Sequence, residues 1–133
     1  MVRDKNKDFV IICQYLLQSD NHKHYTLQDL KRFIFPPVEL GQYKIFDSGF
    51  LTYAFINEEI EKAFVDSNRR LQPNEWRCGD IFWYMHFVCL GGPEAIRKVK
   101  KENLKQFGSV NRKYMRTFRK NNHRYVVENP SVC

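Results

Sequence analysis

The chain has four cysteines, Cys13, Cys78, Cys89 and Cys133, and no two of them form a CxxC pair. That lack removes the common zinc-ribbon and thioredoxin-type patterns. His22 and His24 do not combine with Cys78 or Cys89 at any regular ligand spacing, so no metal is expected. No secretory leader is expected ahead of the cysteines, and they are read as thiols of a reducing cytoplasm, with Cys13 and Cys89 buried in apolar runs. Long hydrophobic runs are missing too. The longest, residues 81–90, is interrupted by His86 and is too short to span a bilayer, which argues against membrane insertion. Acids are scarce where bases are dense: between Arg97 and Arg124 the only acid is Glu102. Internal repeats and linkers are absent.

What is present is a folded, aromatic-rich sequence. The chain has 133 residues, 43% hydrophobic and 15% aromatic, with a formal net charge of +7. That length fits one domain over residues 1–133, with polar ends at 1–7 and 129–133 expected to fray. The positive charge suits an acidic partner, and equally a solvated helix face.

Hydrophobic spacing predicts an amphipathic helix over about 7–19. Thr26 and Asp29 suggest a capping box for a second helix, which Pro36-Pro37 should end. Residues 42–46 and 50–56 read as a hairpin around Asp47-Ser48-Gly49. A helix follows at 58–65, a buried strand at 80–90, and a basic helix from Pro93 to Phe107, stopped at Gly108. Two strands are expected near 111–119 and 124–128, with Asn121-Asn122 as their turn. The order implies an α+β fold, a central mostly antiparallel sheet flanked by helices. The strand running into Gly91-Gly92 and then a basic helix would let backbone N–H groups meet a phosphate.

The aligned features go further. His22 and Tyr25 precede a hydrophobic helix that runs into Pro36. Gln42-Tyr43 opens the first strand. Glu75-Trp76, Gly79-Asp80 and Trp83 lead into the buried strand, and Gly91-Gly92 follows it. In order and spacing, over about residues 20–128, the sequence resembles the toxin-activating lysine acyltransferases of bacteria, which are themselves similar to GNAT acyltransferases. Two positions depart from the family. A catalytic aspartate is expected on the strand before the glycine turn, and His86 stands there. A Ser-Trp pair expected on the second strand is Phe55-Ile56.

The resemblance implies transfer of an acyl group from acyl carrier protein or acyl-CoA, as co-substrate and not as a tightly bound cofactor, to a lysine of a bacterial protein. His22 would be the base that takes the amine proton, since free lysine has a pKa of about 10.4. His86 would support it or act in its place, with Asp80 and Glu75 as substitute carboxylates. Gly91, Gly92, Arg97 and Lys98 would hold the donor phosphate. A homodimer is in keeping with the family. Two other readings stand beside this one. The first is a catalytically silent phage-type effector that grips a bacterial host protein in the cytoplasm. The second, the least favoured, is nucleic-acid binding through residues 112–124, where aromatics alternate with bases. Both histidines also have plain readings: His22 as a surface-loop residue, His86 as a hydrogen-bonded core residue.

Overall fold

A computed structural model describes residues 4–67, 69–108, 111–117 and 124–128. Helix α1 spans Lys5–Gln18 and is capped by Asp4, whose carboxylate accepts from the Lys7 N–H at 3.1 Å. The helix therefore takes in Lys5, Asn6 and Lys7, which the sequence reading left to a frayed end. Residues 1–3 and 129–133 lie outside the described residues.

Thr26 forms both bonds of a capping box with Asp29, at 2.9 and 3.1 Å. The helix it starts does not end at the prolines. It runs as α2 (Leu27–Asp29), a π-helical stretch (Leu30–Ile34) and α3 (Phe35–Glu39). The π turn is the physical reason: the Phe35 N–H reaches back five residues to the Leu30 carbonyl, so a new helix starts with Pro36 and Pro37 in its first turn. A missing N–H costs nothing there.

Strands β1 (Tyr43–Phe46) and β2 (Gly49–Ile56) form the expected hairpin. Helix α4 spans Glu58–Asp66, capped by Asn57. Strand β3 spans Ile81–Cys89 and helix α5 spans Pro93–Phe107. Strands β4 (Arg112–Thr117) and β5 (Arg124–Glu128) complete the sheet; the turn expected at Asn121-Asn122 lies outside the described residues. The sheet order is β1-β2-β3-β4-β5, antiparallel except for the β3–β4 pair. This is the α+β arrangement that the sequence implied.

One sheet face carries two core clusters. Ile12, Leu16, Ile34, Val38, Tyr43, Phe50 and Val88 join α1 and α3 to the hairpin. Ala54, Ile56, Leu71, Trp76 and Trp83 form the other, with α4 packed against them. Full burial of one such large side chain contributes roughly 1.5–3 kcal/mol. Helix α5 covers the opposite face, where Phe107 packs against Tyr53, Phe82 and Tyr84 at ring-centroid distances of 5.2, 5.1 and 6.3 Å. Cys13 and Cys89 are half-buried, less enclosed than their apolar runs suggested.

Two features shape the space beside β3. The β2–β3 register slips between Thr52–His86 and Tyr53–Tyr84, which leaves Met85 as an extra residue, a β-bulge. Strands β3 and β4 pair only at Phe82–Arg112 and Trp83–Lys113, although both continue well beyond. Glu61 pins this short junction, accepting from Trp83 Nε1 at 2.8 Å and from Lys113 Nζ at 2.9 Å. Beyond it the strands part.

Candidate active site in the gap between two parallel strands

The parting strands leave a cleft of about 490 Å³. Strand β3 contributes Tyr84, Met85, His86 and Phe87, and β4 contributes Arg112, Tyr114 and Met115. Ile96, Lys100 and Asn103, one face of α5, line it from the covered side, and His22 from the other. Among the described residues, no strand pairs with the β3 edge that faces β4 over this stretch.

His86 sits on β3 opposite Thr52 of β2, with its Nδ1 2.7 Å from the Thr52 Oγ1. Its Nε2 lies 3.5 Å from the Tyr25 hydroxyl. Trp76 lies parallel to the ring at a centroid distance of 6.3 Å and an interplanar angle of 7°. Burial first, and then His22 beside it, push the His86 imidazole down to about 3, so it is neutral at pH 7. Its exposure is 9%.

His22 lies in the turn after α1. Its Nδ1 is 2.7 Å from the Ser19 Oγ, which fixes the ring and leaves Nε2 free of that bond. The His22 and His86 rings are 5.9 Å apart, and Tyr25 stands edge-on to His22 at 5.3 Å. Burial lowers the His22 pKa, so it too favours the neutral form. Burial also raises the Tyr25 hydroxyl, while Arg70 nearby pulls it the other way. A buried clamp supports this arrangement. Gln42 donates to the Tyr53 and Trp76 carbonyls at 3.0 and 2.9 Å, and accepts from Arg77 Nε at 2.9 Å. Gln42-Tyr43 and Glu75-Trp76, far apart in sequence, thus meet behind His86.

The sequence-derived candidates divide. His22 and His86 come together at the cleft. Gly91 and Gly92 lie between the end of β3 and α5, at the wide end. Gly92 has φ +85°, and a Cβ on Gly91 would stand 2.6 Å from the Ala95 Cβ. Arg97 and Lys98 are exposed on α5 and do not line the cleft; Lys100 does. Asp80 is exposed just before β3, six residues from His86 and so about 20 Å away along the extended chain. Glu75 is bound in a two-pronged ion pair with Arg69, at 3.1 and 2.8 Å. That pair and its bond from the Gln72 N–H hold the carboxyl below its ordinary range. Neither carboxylate reaches the histidine pair. The sequence does not single out Asn103, and it shows Lys100 only as part of the basic helix and Arg112 only as part of the 112–124 basic stretch. The spacing of Ile96, Lys100 and Asn103 along one helix face was the available signal.

Among the described residues, no group of three or more His, Cys, Asp or Glu could hold a metal ion, and no helix is long and apolar enough to cross a membrane.

A mostly antiparallel sheet opens between two parallel strands, and two histidines stand together at the opening. Residues 4–131 match the RTX toxin acyltransferase family (HlyC), and the chain belongs to that family. It is 26% identical over 94 residues to the uncharacterized protein sll0720 of Synechocystis, covering 65% of this chain and 64% of that one. It is 30% identical over 85 residues to the leukotoxin-activating lysine-acyltransferase LktC of Mannheimia haemolytica, covering 60% and 51%. It is 25% identical over 77 residues to the protein-lysine palmitoyltransferase CyaC of Bordetella bronchiseptica, covering 54% and 42%. The matches thus span between about two fifths and two thirds of the length of these relatives.

Proposed function

We propose that this chain moves an acyl group from a phosphopantetheine thioester to a protein lysine, as a single GNAT-like domain with His22 as base. The observation that carries the reading is the position of His22: its ring lines the cleft, with Nδ1 tied to Ser19 and Nε2 left to work. With Nδ1–H donating to Ser19, Nε2 carries the lone pair that accepts a proton from the attacking amine. The lowered pKa keeps that lone pair available at pH 7.

The donor arm enters at the wide end, with its phosphate at the Gly91-Gly92 turn and the first turn of α5. Its thioester lies along β3, where unpaired backbone N–H groups near the Met85 bulge meet the developing oxyanion. The amine nitrogen forms the new C–N bond, the C–S bond breaks, and the proton passes by way of His22 to the leaving thiolate. His86 stands where the family resemblance expects a carboxylate. Being neutral, it holds Tyr25 and shapes the floor under His22 without stabilising an imidazolium by charge. A lower rate than a carboxylate would give is the expected cost.

The donor is acyl carrier protein or an acyl-CoA. The exposed bases of α5, among them Arg97, Lys98, Lys101 and Lys105, favour the acidic carrier. The acceptor is a lysine of a bacterial protein. Incubation of the full chain with acyl carrier protein and candidate acceptors, read by intact mass, tests the proposal: wild type adds one acyl mass, and His22→Ala adds none.

One observation favours a second reading. Among the described residues that line the cleft there is no carboxylate, which suits a chain that keeps the fold to grip a host protein without catalysis. Unchanged partner binding and absent transfer in wild type would select it. Binding of nucleic acid through 112–124 finds less support, because Arg112 is 5% exposed and Tyr114 lines the cleft.

A further inference from the structure

We propose that the acceptor lysine is flanked by a carboxylate, an Asp or Glu within about four residues of it, which this chain holds with Arg32 and Arg70. The inference rests on the lysine-transfer reading above and names the class of acceptor sequence that Arg32 and Arg70 select.

A row of rings leads from His22 to these two guanidiniums. Tyr25 stands 5.3 Å from His22, and Phe33 stands 6.1 Å from Tyr25, centroid to centroid. The Arg70 Cζ lies 5.0 Å from the Phe33 ring centroid, and the Arg32 Cζ lies 5.5 Å from it. Arg32 and Phe33 belong to the π-helical stretch, and Arg70 to the loop that follows α4. Tyr25, Phe33, Arg32 and Arg70 do not line the cleft, whereas His22 does. The row therefore leads from the base away from the proposed donor site, to the side left for an acceptor. Three ring-sized steps, less the reach of the Lys and Glu side chains, match about four residues of extended chain at roughly 3.3 Å each.

Both guanidiniums have donors to spare. Arg32 is half-buried, and its buried Nε has no hydrogen-bond partner among the described residues. Such a group costs stability until an acceptor reaches it. Arg70 is exposed and lies over the Phe33 ring. Against the burial that raises the Tyr25 phenol, Arg70 pulls it down, so its charge is felt at the ring beside His22. Cation–π contact holds both guanidiniums over Phe33 without using their N–H groups. The nearby acids are committed elsewhere. Glu75 accepts from both prongs of Arg69 and from the Gln72 N–H. Asp29 accepts from the Thr26 N–H in the capping box. Glu59, exposed on α4, acts on Arg69. A carboxylate brought by the acceptor would accept from the free N–H groups and relieve the repulsion between two cations over one ring. A lysine or arginine at the same place would be repelled, so the pair also rejects acceptors in basic sequence. The transfer step is unaltered: C–S breaks, C–N forms, and the flanking carboxylate only positions the lysine.

The test is transfer by the full chain to single-lysine peptides that carry a glutamate one to four residues to either side, against the same peptides with glutamine or arginine there. The donors are acyl carrier proteins charged with acyl groups from butyryl to palmitoyl. Mass spectrometry reads transfer, and fluorescence anisotropy reads peptide binding. At least one glutamate position should raise kcat/KM about fivefold over its glutamine counterpart, the increment of a well-placed exposed ion pair, and arginine there should lower it. Arg70→Gln should abolish the preference. Arg70→Glu should pass it to the arginine peptide, a swap that a loss of fold does not produce. Equal use of glutamate and glutamine peptides at every position by wild type would overturn the inference and leave lysine transfer standing. An Arg70→Gln variant that weakens the donor and not the peptide would assign the guanidiniums to the donor phosphate, and overturn the inference as well. Glutamate-dependent binding with no transfer from any donor would overturn the transfer reading and retain the carboxylate subsite. Neither binding nor transfer would overturn both.

Discussion

Thr52 and His86 face each other across β2 and β3, with the hydroxyl oxygen 2.7 Å from the imidazole Nδ1. This cross-strand pair orients a buried ring, and the bulge one residue away at Met85 sets where that ring points. The opposite nitrogen is turned to Tyr25, and the ring to His22.

Loss of the Thr52 hydroxyl should therefore be felt at His86. Thr52→Val keeps the shape and leaves a buried ring nitrogen without its partner, a cost of about 1–3 kcal/mol. Thr52→Ser should retain most of the stability. Urea unfolding of the two variants against wild type measures the difference, and equal midpoints for Val and wild type would contradict the pairing.

Acid should destabilise the fold earlier than carboxylates alone would cause. The His86 pKa falls from an ordinary 6.5 in the unfolded chain to about 3 in the folded one. Between these values the unfolded chain binds the extra proton, so stability is full above about pH 6.5 and declines as pH falls below it. At pH 5 the loss from this group is about 2 kcal/mol. His22, also lowered by burial, adds in the same direction. Thermal melts from pH 7.5 to 5 should show this decline, and His86→Asn should flatten it; an unchanged slope in the variant would place the acid sensitivity elsewhere.

The turn after β3 should not tolerate side chains. Gly92 has φ +85°, where a Cβ costs roughly 1–2 kcal/mol. Gly91→Val would collide with Ala95 and displace the start of α5. Both variants should weaken donor binding more than they lower the melting temperature, because they distort the proposed phosphate site. Calorimetry with a donor thioester, run beside thermal melts, separates the two effects.

Charge reversal on α5 should affect the two carriers differently. Lys101→Glu with Lys105→Glu alters exposed residues outside the cleft. It should weaken acyl carrier protein by about tenfold or more at low salt, with little change for the same acyl group on CoA. Surface plasmon resonance at two salt concentrations reads this. An equal effect on both carriers would contradict docking on this helix.

Much of the scaffold was legible in the sequence. Pro93 and Gly108 bracket α5, the Thr26–Asp29 capping box is local, and the hairpin turns within the expected Asp47-Ser48-Gly49, with Gly49 already in β2. Such signals involve neighbours and survive without tertiary context. The π turn at Leu30–Ile34 was not legible, because the proline rule describes an α-helix and a wider turn relaxes it. His22 and His86 could be named from motif order. That Asp80 lies far from them could not, since its distance follows from strand extension. Arg112 reads in sequence as one base in a basic stretch, and its place opposite Phe82 at 5% exposure needed the β3–β4 register.

The most direct test of the central claim is single-turnover acyl transfer, followed by intact mass, from acyl carrier protein to a lysine-containing acceptor. Wild type, His22→Ala and His86→Ala should be compared at pH 7.5, with circular dichroism to verify folding. The account predicts transfer by wild type, none by folded His22→Ala, and a reduced rate for His86→Ala. Transfer by folded His22→Ala at the wild-type rate would contradict it, because the base would then lie elsewhere.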